Sequence, residues 1–257
     1  MASTLEVHQF PCLSDNYGYL LHDPDSGLTA AIDTPDSDAI LAALADRGWN
    51  LSHIFNTHHH ADHAGGNLAL KAATGCTVVG CAADAARIPG LDRPVADGDC
   101  FDFGGHRIEV LETPGHTVGH VVYHVPDQAI AFVGDTLFAM GCGRLFEGSA
   151  EQMWSSLSRL MRWPDQTRIY CAHEYTLANG KFALSVDPDN RDLKARMEEV
   201  VARRSKGQPT VPTSMALEKR TNPFLRAADA ALAAHIGMAG RAPVEVFAET
   251  RRRKDEF

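Results

Sequence analysis

The 257-residue sequence contains no apolar run that approaches the ~18 residues needed to span a bilayer, so a soluble protein is expected. Its six cysteines (Cys12, Cys76, Cys81, Cys100, Cys142 and Cys171) include no CxxC pair and follow no regular spacing. That excludes a disulfide framework and suits reduced thiols packed as small hydrophobes. Basic excess is missing too: the net charge of −9 speaks against a nucleic-acid partner, which would require a basic face to release counterions from phosphates. Between Met1 and Phe10 there is neither a basic n-region nor an apolar h-region, nor the arginines of a transit peptide. The expected location is the cytoplasm.

What the chain does have is length enough for a sizeable core and an α/β rhythm. Tyr17–Leu21 and Leu28–Asp33 are short apolar runs around a Pro24, Ser26, Gly27 turn, which reads as a hairpin. Asp36 or Ser37 can cap a helix carrying Ile40, Leu41 and Leu44 on one face, with Gly48 closing it. A strand over 51–57, a helix over 67–73 and a strand over 77–81 follow, and further strands are expected at 108–112, 121–125, 129–133 and 168–172. Met153, Trp154, Leu157, Leu160 and Met161 mark an amphipathic helix among them. After Tyr175 the texture becomes polar and helix-favouring (193–206), then Pro-rich (208–212), then Ala-rich (227–236). The division expected is 1–174 for a catalytic domain and 175–257 for a small helical one. Basic residues gather at 191–204 and 251–254, so the second part can carry a positive patch for a small anionic ligand.

The chemistry concentrates in Thr57-His58-His59-His60-Ala61-Asp62-His63, placed directly after an apolar strand. Imidazole and carboxylate are ligands for zinc or iron, although on its own this run could be a His-rich surface loop. His116, Asp135 and His173 each follow another apolar run. In α/β sheets, ligands gather at the carboxyl ends of strands, so four such ends can supply one cleft.

His58-X-His60-X-Asp62-His63, then His116, Asp135 and His173, resembles the metallo-β-lactamase superfamily motif, which implies an αββα sandwich. The resemblance implies one metal on His58, His60 and His116, a second on Asp62, His63 and His173, and Asp135 bridging both. His59 receives no ligand role and is expected to be spare or to support a ligand. Two divalent ions, zinc first with iron or manganese also accepted, would leave a net positive centre after two carboxylates and a bridging hydroxide. Asp62 and Asp135 are the catalytic carboxylates of this reading.

The superfold does not choose a substrate. Gly134-Asp135-Thr136-Leu137-Phe138, Gly141-Cys142-Gly143-Arg144-Leu145-Phe146-Glu147-Gly148, His173-Glu174-Tyr175-Thr176, Asn222-Pro223-Phe224-Leu225-Arg226 and the ending 251–257 resemble the glyoxalase II family in order and spacing. That family hydrolyses S-2-hydroxyacylglutathione to glutathione and a 2-hydroxy acid, by attack of the bridging hydroxide on the thioester carbonyl. By the resemblance Arg144, Tyr175, Arg251 and Lys254 would hold the glutathione moiety, in a monomer with no membrane or nucleic-acid partner. Two positions depart: Arg144 stands where the family often has lysine, and Phe146 where it often has tyrosine. Rival readings are a persulfide dioxygenase of the same superfold, a nuclease or phosphodiesterase, and a silent metal-binding module. The His173-Glu174-Tyr175 segment, the 145–148 continuation and the helical tail favour the thioesterase.

Overall fold

The structure is a computed structural model that describes residues 4–257, so the first three residues of the Met1–Phe10 segment lie outside the described residues. The chain divides into two compact units: one runs to Thr113 and resumes over Val118–Gly134, and the other comprises Pro114–Thr117 and Asp135–Phe257.

In the first unit, β1 (Glu6–Cys12), β2 (Asn16–His22), β3 (Thr29–Ile32), α1 (Ser37–Arg47), β4 (His53–Phe55), α2 (Ala61–Ala64), α3 (Asn67–Thr74), β5 (Thr77–Cys81) and β6 (Arg93–Val95) precede β7 (Cys100–Phe103), β8 (His106–Glu112), β9 (Val121–Val125) and β10 (Ile130–Gly134). Strands β1 to β6 form one mixed sheet in chain order, antiparallel from β1 to β3 and parallel from β3 to β6. Strands β10, β9, β8 and β7 lie side by side in a second, antiparallel layer. The two layers meet through aromatic rings. Phe55 of β4 sits 5.2 Å from Phe101 and 5.3 Å from Tyr123, and Tyr19 of β2 lies 5.7 Å from Phe132. Tyr123 is fully buried and its hydroxyl donates to the Asn56 carbonyl at 2.8 Å, so a polar tip is satisfied inside an apolar interface.

The second unit carries β11 (Leu137–Phe138) and β12 (Gly141–Cys142) as a short hairpin, then α4 (Ala150–Leu160), β13 (Arg168–Cys171), α5 (Thr176–Val186), α6 (Arg191–Arg204), β14 (Thr213–Ser214), α7 (Met215–Thr221), α8 (Ala230–His235) and α9 (Pro243–Glu256). Buried Met140, Ala183, Leu193, Met197 and Val200 make a local core around α5 and α6. Among the described residues no helix is long and apolar enough to cross a membrane.

The expected hairpin is β2–β3, and Asp36 does cap α1, its carboxylate accepting from the Asp38 and Ala39 amides, while Gly48 ends the helix at φ 68°. The strand expected over 51–57 contracts to β4, because the chain leaves the sheet early to turn into the histidine run. The Ala-rich helix shortens to α8, started by the Asp229 cap. Residues 251–256 are helical in α9, where Arg251, Arg252 and Arg253 pair with Asp255, Glu249 and Glu256. Three of the four cations in the 251–254 cluster are thereby paired with carboxylates of the same helix.

Candidate metal ligands and substrate cleft

Within the first unit the chain leaves β4 in an extended path through His58 and His60, then enters α2, whose first turn carries Asp62 and His63. The exit is fixed by Asp33. Its carboxylate accepts from the Thr57 amide at 2.7 Å, the Thr57 hydroxyl at 2.8 Å and His63 Nδ1 at 2.9 Å. Asn16 Nδ2 donates to Asp62 Oδ2 at 3.2 Å. His58 Nε2 and His60 Nδ1 face each other at 3.0 Å, while His58 Nδ1 meets the Thr57 hydroxyl at 3.0 Å. His59 turns elsewhere, its Nδ1 lying 2.8 Å from Asp84 Oδ2.

In the second unit, His116, Asp135 and His173 come together around one carboxylate. Asp135 Oδ2 lies 3.4 Å from His116 Nε2, and Oδ1 lies 3.5 Å from His173 Nε2. His116 Nδ1 meets the Arg144 carbonyl oxygen at 2.8 Å. A carbonyl only accepts, so Nδ1 is the donor, and Nε2 is the nitrogen turned toward the carboxylate. The first unit repeats this arrangement: His63 Nδ1 donates to Asp33, and its Nε2 faces Asp62 Oδ2 at 3.4 Å. In both places an imidazole nitrogen and a carboxylate oxygen converge on one point, where a proton or a metal ion would hold them together. Imidazole and carboxylate donors with their distal nitrogens held by carbonyl and carboxylate partners are the chemistry of a divalent-metal ligand set, and the residues fit one.

The second unit also contains a cleft of about 440 Å³, lined by His116, Asp135, Arg144, Tyr175, Arg251 and Lys254 among others. All four expected substrate contacts therefore open onto one space. Tyr175, 36% exposed, stacks on His173 at 4.7 Å with the rings 2° from parallel. Lys254 sits 5.3 Å from the centroids of both the Phe182 and Phe257 rings. Burial, then the neighbouring Arg251 and Arg144 guanidinium groups, push the Lys254 ammonium below its usual range. Arg251 is only 4% exposed and is already engaged: it donates to the Cys142 carbonyl at 2.9 Å and pairs with Asp255 at 2.8 Å. Cys142 beside it is buried, and its thiol is pushed up to about 11. Phe146 is 62% exposed, its ring edge-on to His116 at 5.2 Å, and offers no hydroxyl.

Sequence reasoning does not single out Asp33. An aspartate closing the apolar run Ala30-Ala31-Ile32, one residue past the strand, is the available signal. Asn179, which also lines the cleft from α5, carries no signal at all, since it lies in a segment without chemistry-bearing neighbours.

Residues 25–173 match the metallo-beta-lactamase superfamily, and residues 174–257 match the hydroxyacylglutathione hydrolase C-terminus. A hydroxyacylglutathione hydrolase of Maricaulis maris is 60% identical over 255 residues, covering 99% of this chain and all of that one. Among solved structures, ETHE1 from Myxococcus xanthus is 30% identical with a TM-score of 0.69, over 96% of this chain and 90% of its own. A protein solved in a di-iron-bound form is 26% identical with a TM-score of 0.60, over 86% of this chain and 100% of its own. The fold and the two matched regions thus define a metallo-β-lactamase-fold protein with a helical C-terminal extension. Within that superfamily, the chain belongs to the hydroxyacylglutathione hydrolase family.

Proposed function

We propose that the protein hydrolyses S-2-hydroxyacylglutathione, such as S-D-lactoylglutathione, to glutathione and a 2-hydroxy acid, D-lactate in that case. Water adds to the thioester carbonyl, the C–S bond breaks, and the thiolate leaves to be protonated as glutathione. The observation that carries this reading is the cleft in which Arg144, Tyr175 and Lys254 share one space with His116 and Asp135. Cations beside reactive-centre ligands suit a substrate whose far end is anionic.

We assign His58, His60 and His116 to one divalent metal, Asp62, His63 and His173 to a second, and Asp135 to both. Zinc is the first assignment, with iron or manganese as alternatives that the same donors accept. Two such ions, when bound, acidify water and polarise the carbonyl oxygen. Asp135, whose two oxygens each face a histidine Nε2, is disposed to serve two sites at once. Asp62, tethered by Asn16, is the carboxylate we assign to take a proton as water attacks. Arg144 and Lys254 hold the glutathione carboxylates, Tyr175 offers its phenol and ring to the peptide, and Arg251 lines the same cleft as a third cation.

On this reading 1–174 is the catalytic domain and 175–257 the substrate-binding domain, a division near which the two matched family regions meet. The protein acts as a monomer in the cytoplasm on a small molecule. The test is thiol release from S-D-lactoylglutathione beside the same acyl group on a truncated thiol. Fast release from the glutathione ester supports the reading. No release by folded, metal-loaded protein overturns it and turns attention to oxygen uptake with glutathione persulfide.

A further inference from the structure

Five backbone polar groups between Phe138 and Cys142 are held by buried side chains from elsewhere in the second unit. Asn222, immediately after α7, donates from Nδ2 to the Phe138 carbonyl at 3.1 Å and the Gly141 carbonyl at 2.9 Å. Asn179 of α5 donates to the Ala139 carbonyl at 3.2 Å, and Arg251 of α9 to the Cys142 carbonyl. The amide of Met140, a residue in the left-handed region at φ 56°, donates to Glu218 Oε2 at 2.8 Å. Glu218 is itself fully buried. Its Oε2 also accepts from Asn222 at 3.0 Å, and its Oε1 accepts from Arg196 at 2.5 Å and Thr213 at 2.6 Å.

A two-stranded hairpin this short has too few ladder bonds to hold its own shape. The left-handed Met140 makes the turn less favourable still, so the shape must be imposed from outside. What the shape controls is Phe138. Its ring lies edge-on to Tyr175 at 5.3 Å and to His173 at 5.9 Å, and it lines the cleft along with Cys142.

We propose that Glu218 and Asn222 are positioning residues that fix the Phe138–Cys142 turn and, through the Phe138 ring, set the seat of Tyr175, so that the cleft selects a glutathione thioester over a smaller thioester. The selectivity part rests on the function proposed above; the clamp itself does not. Neither residue touches substrate. Their effect belongs to recognition of the thiol portion, because a truncated thioester would not reach the Tyr175 side of the cleft.

Two variants test this. Asn222→Ala removes the donor to two carbonyls. Glu218→Leu is combined with Arg196→Met, because an unpaired buried arginine would endanger folding whereas an apolar pair in its place is tolerated. Amide hydrogen exchange over residues 137–142 is read first, and it requires no substrate. Faster exchange there in folded variants, with exchange in β2 and β9 unchanged, is expected; unchanged exchange over 137–142 overturns the clamp. The second readout is the ratio of kcat/KM for S-D-lactoylglutathione to that for the truncated-thiol ester. A fall of about tenfold, the equivalent of ~1.4 kcal/mol, carried by KM for the glutathione ester, is expected. General destabilisation would lower both rates together. A loosened turn with an unchanged ratio overturns the selectivity role. If wild-type protein hydrolyses no glutathione ester, the proposed function fails, and the exchange result still decides the clamp.

Discussion

His116 Nδ1 donates to the carbonyl oxygen of Arg144 across 2.8 Å, so a single contact ties a proposed metal ligand to the loop that carries a cation of the cleft. The orientation of the proposed ligand is therefore tied to the backbone at Arg144, not to the Arg144 side chain. The loop can approach that closely because residue 143 is glycine.

A Cβ on Gly143 would overlap the Asp135 carbonyl oxygen and lie 3.0 Å from His116 Nδ1. The first of these is backbone and cannot swing aside. Gly143→Ala is expected to push the loop off both Asp135 and His116, lowering metal content and cutting kcat/KM by roughly 10–100-fold, the usual cost of disturbing a ligand's support. Metal analysis of the purified variant beside its kinetics checks this, and full metal occupancy with full activity would sink it.

How much of this could be read from sequence follows from where the information sits. The His- and Asp-rich run 58–63 is local and dense, and His116, Asp135 and His173 each follow an apolar strand, so residue type and pattern expose them as candidates. Strands β1 and β6 are not evident in the sequence: each holds a proline, Pro11 and Pro94, which argues against a central strand yet is tolerated in these edge positions of the sheet. Arg251 reads from sequence as a cation for substrate, and the structure adds a bond to the Cys142 carbonyl 109 residues away. Contacts of that sequence separation leave no periodic trace. The Glu218–Asn222 clamp is hidden for the same reason, since its partners at 138–141 look like ordinary hairpin residues.

Lys254 gives a prediction with a definite sign. Burial, followed by repulsion from Arg251 and Arg144, lowers its pKa below the ordinary 10.5, with Asp255 pulling the other way. A lysine so shifted loses its charge at lower pH than an ordinary lysine does. Affinity for an anionic thioester should therefore weaken on the alkaline side sooner than a surface lysine would allow. Arg144→Gln removes one repulsion, so KM rises at neutral pH through the lost cation while the alkaline limb of the KM profile moves to higher pH. Superimposable alkaline limbs in the two proteins would dissociate Lys254 from the effect.

Metal removal should act on stability as well as on rate. A ligand that binds only the folded state adds RT ln(1 + [L]/Kd), about 2.7 kcal/mol at a hundredfold excess over Kd. Chelation is expected to abolish thiol release and lower Tm. Re-addition of zinc, iron(II) or manganese(II), one at a time, should restore both, and the order of restoration ranks the metals. A chelated protein with unchanged Tm and full turnover would remove metal from the reaction.

Asp33 offers the sharpest separation of a supporting residue from a ligand. It sits in the left-handed region at φ 58°, where asparagine is also tolerated, so Asp33→Asn preserves the backbone and the shape of the side chain. One oxygen must still accept from the Thr57 amide, and the new NH2 then faces the Thr57 hydroxyl, which can accept, and His63 Nδ1, which had been the donor. Two donors cannot face each other, so the His63 ring is driven to carry its proton on Nε2, the nitrogen proposed to bind metal. The expected result is a loss of roughly 10–100-fold in affinity for the metal held by Asp62, His63 and His173, with the His58, His60 and His116 site less affected. Titration of apo-protein with zinc should accordingly resolve one weakened and one nearly unchanged equivalent. Two unchanged equivalents would mean that Asp33 shapes the fold at Thr57 and has no part in tuning the ligand.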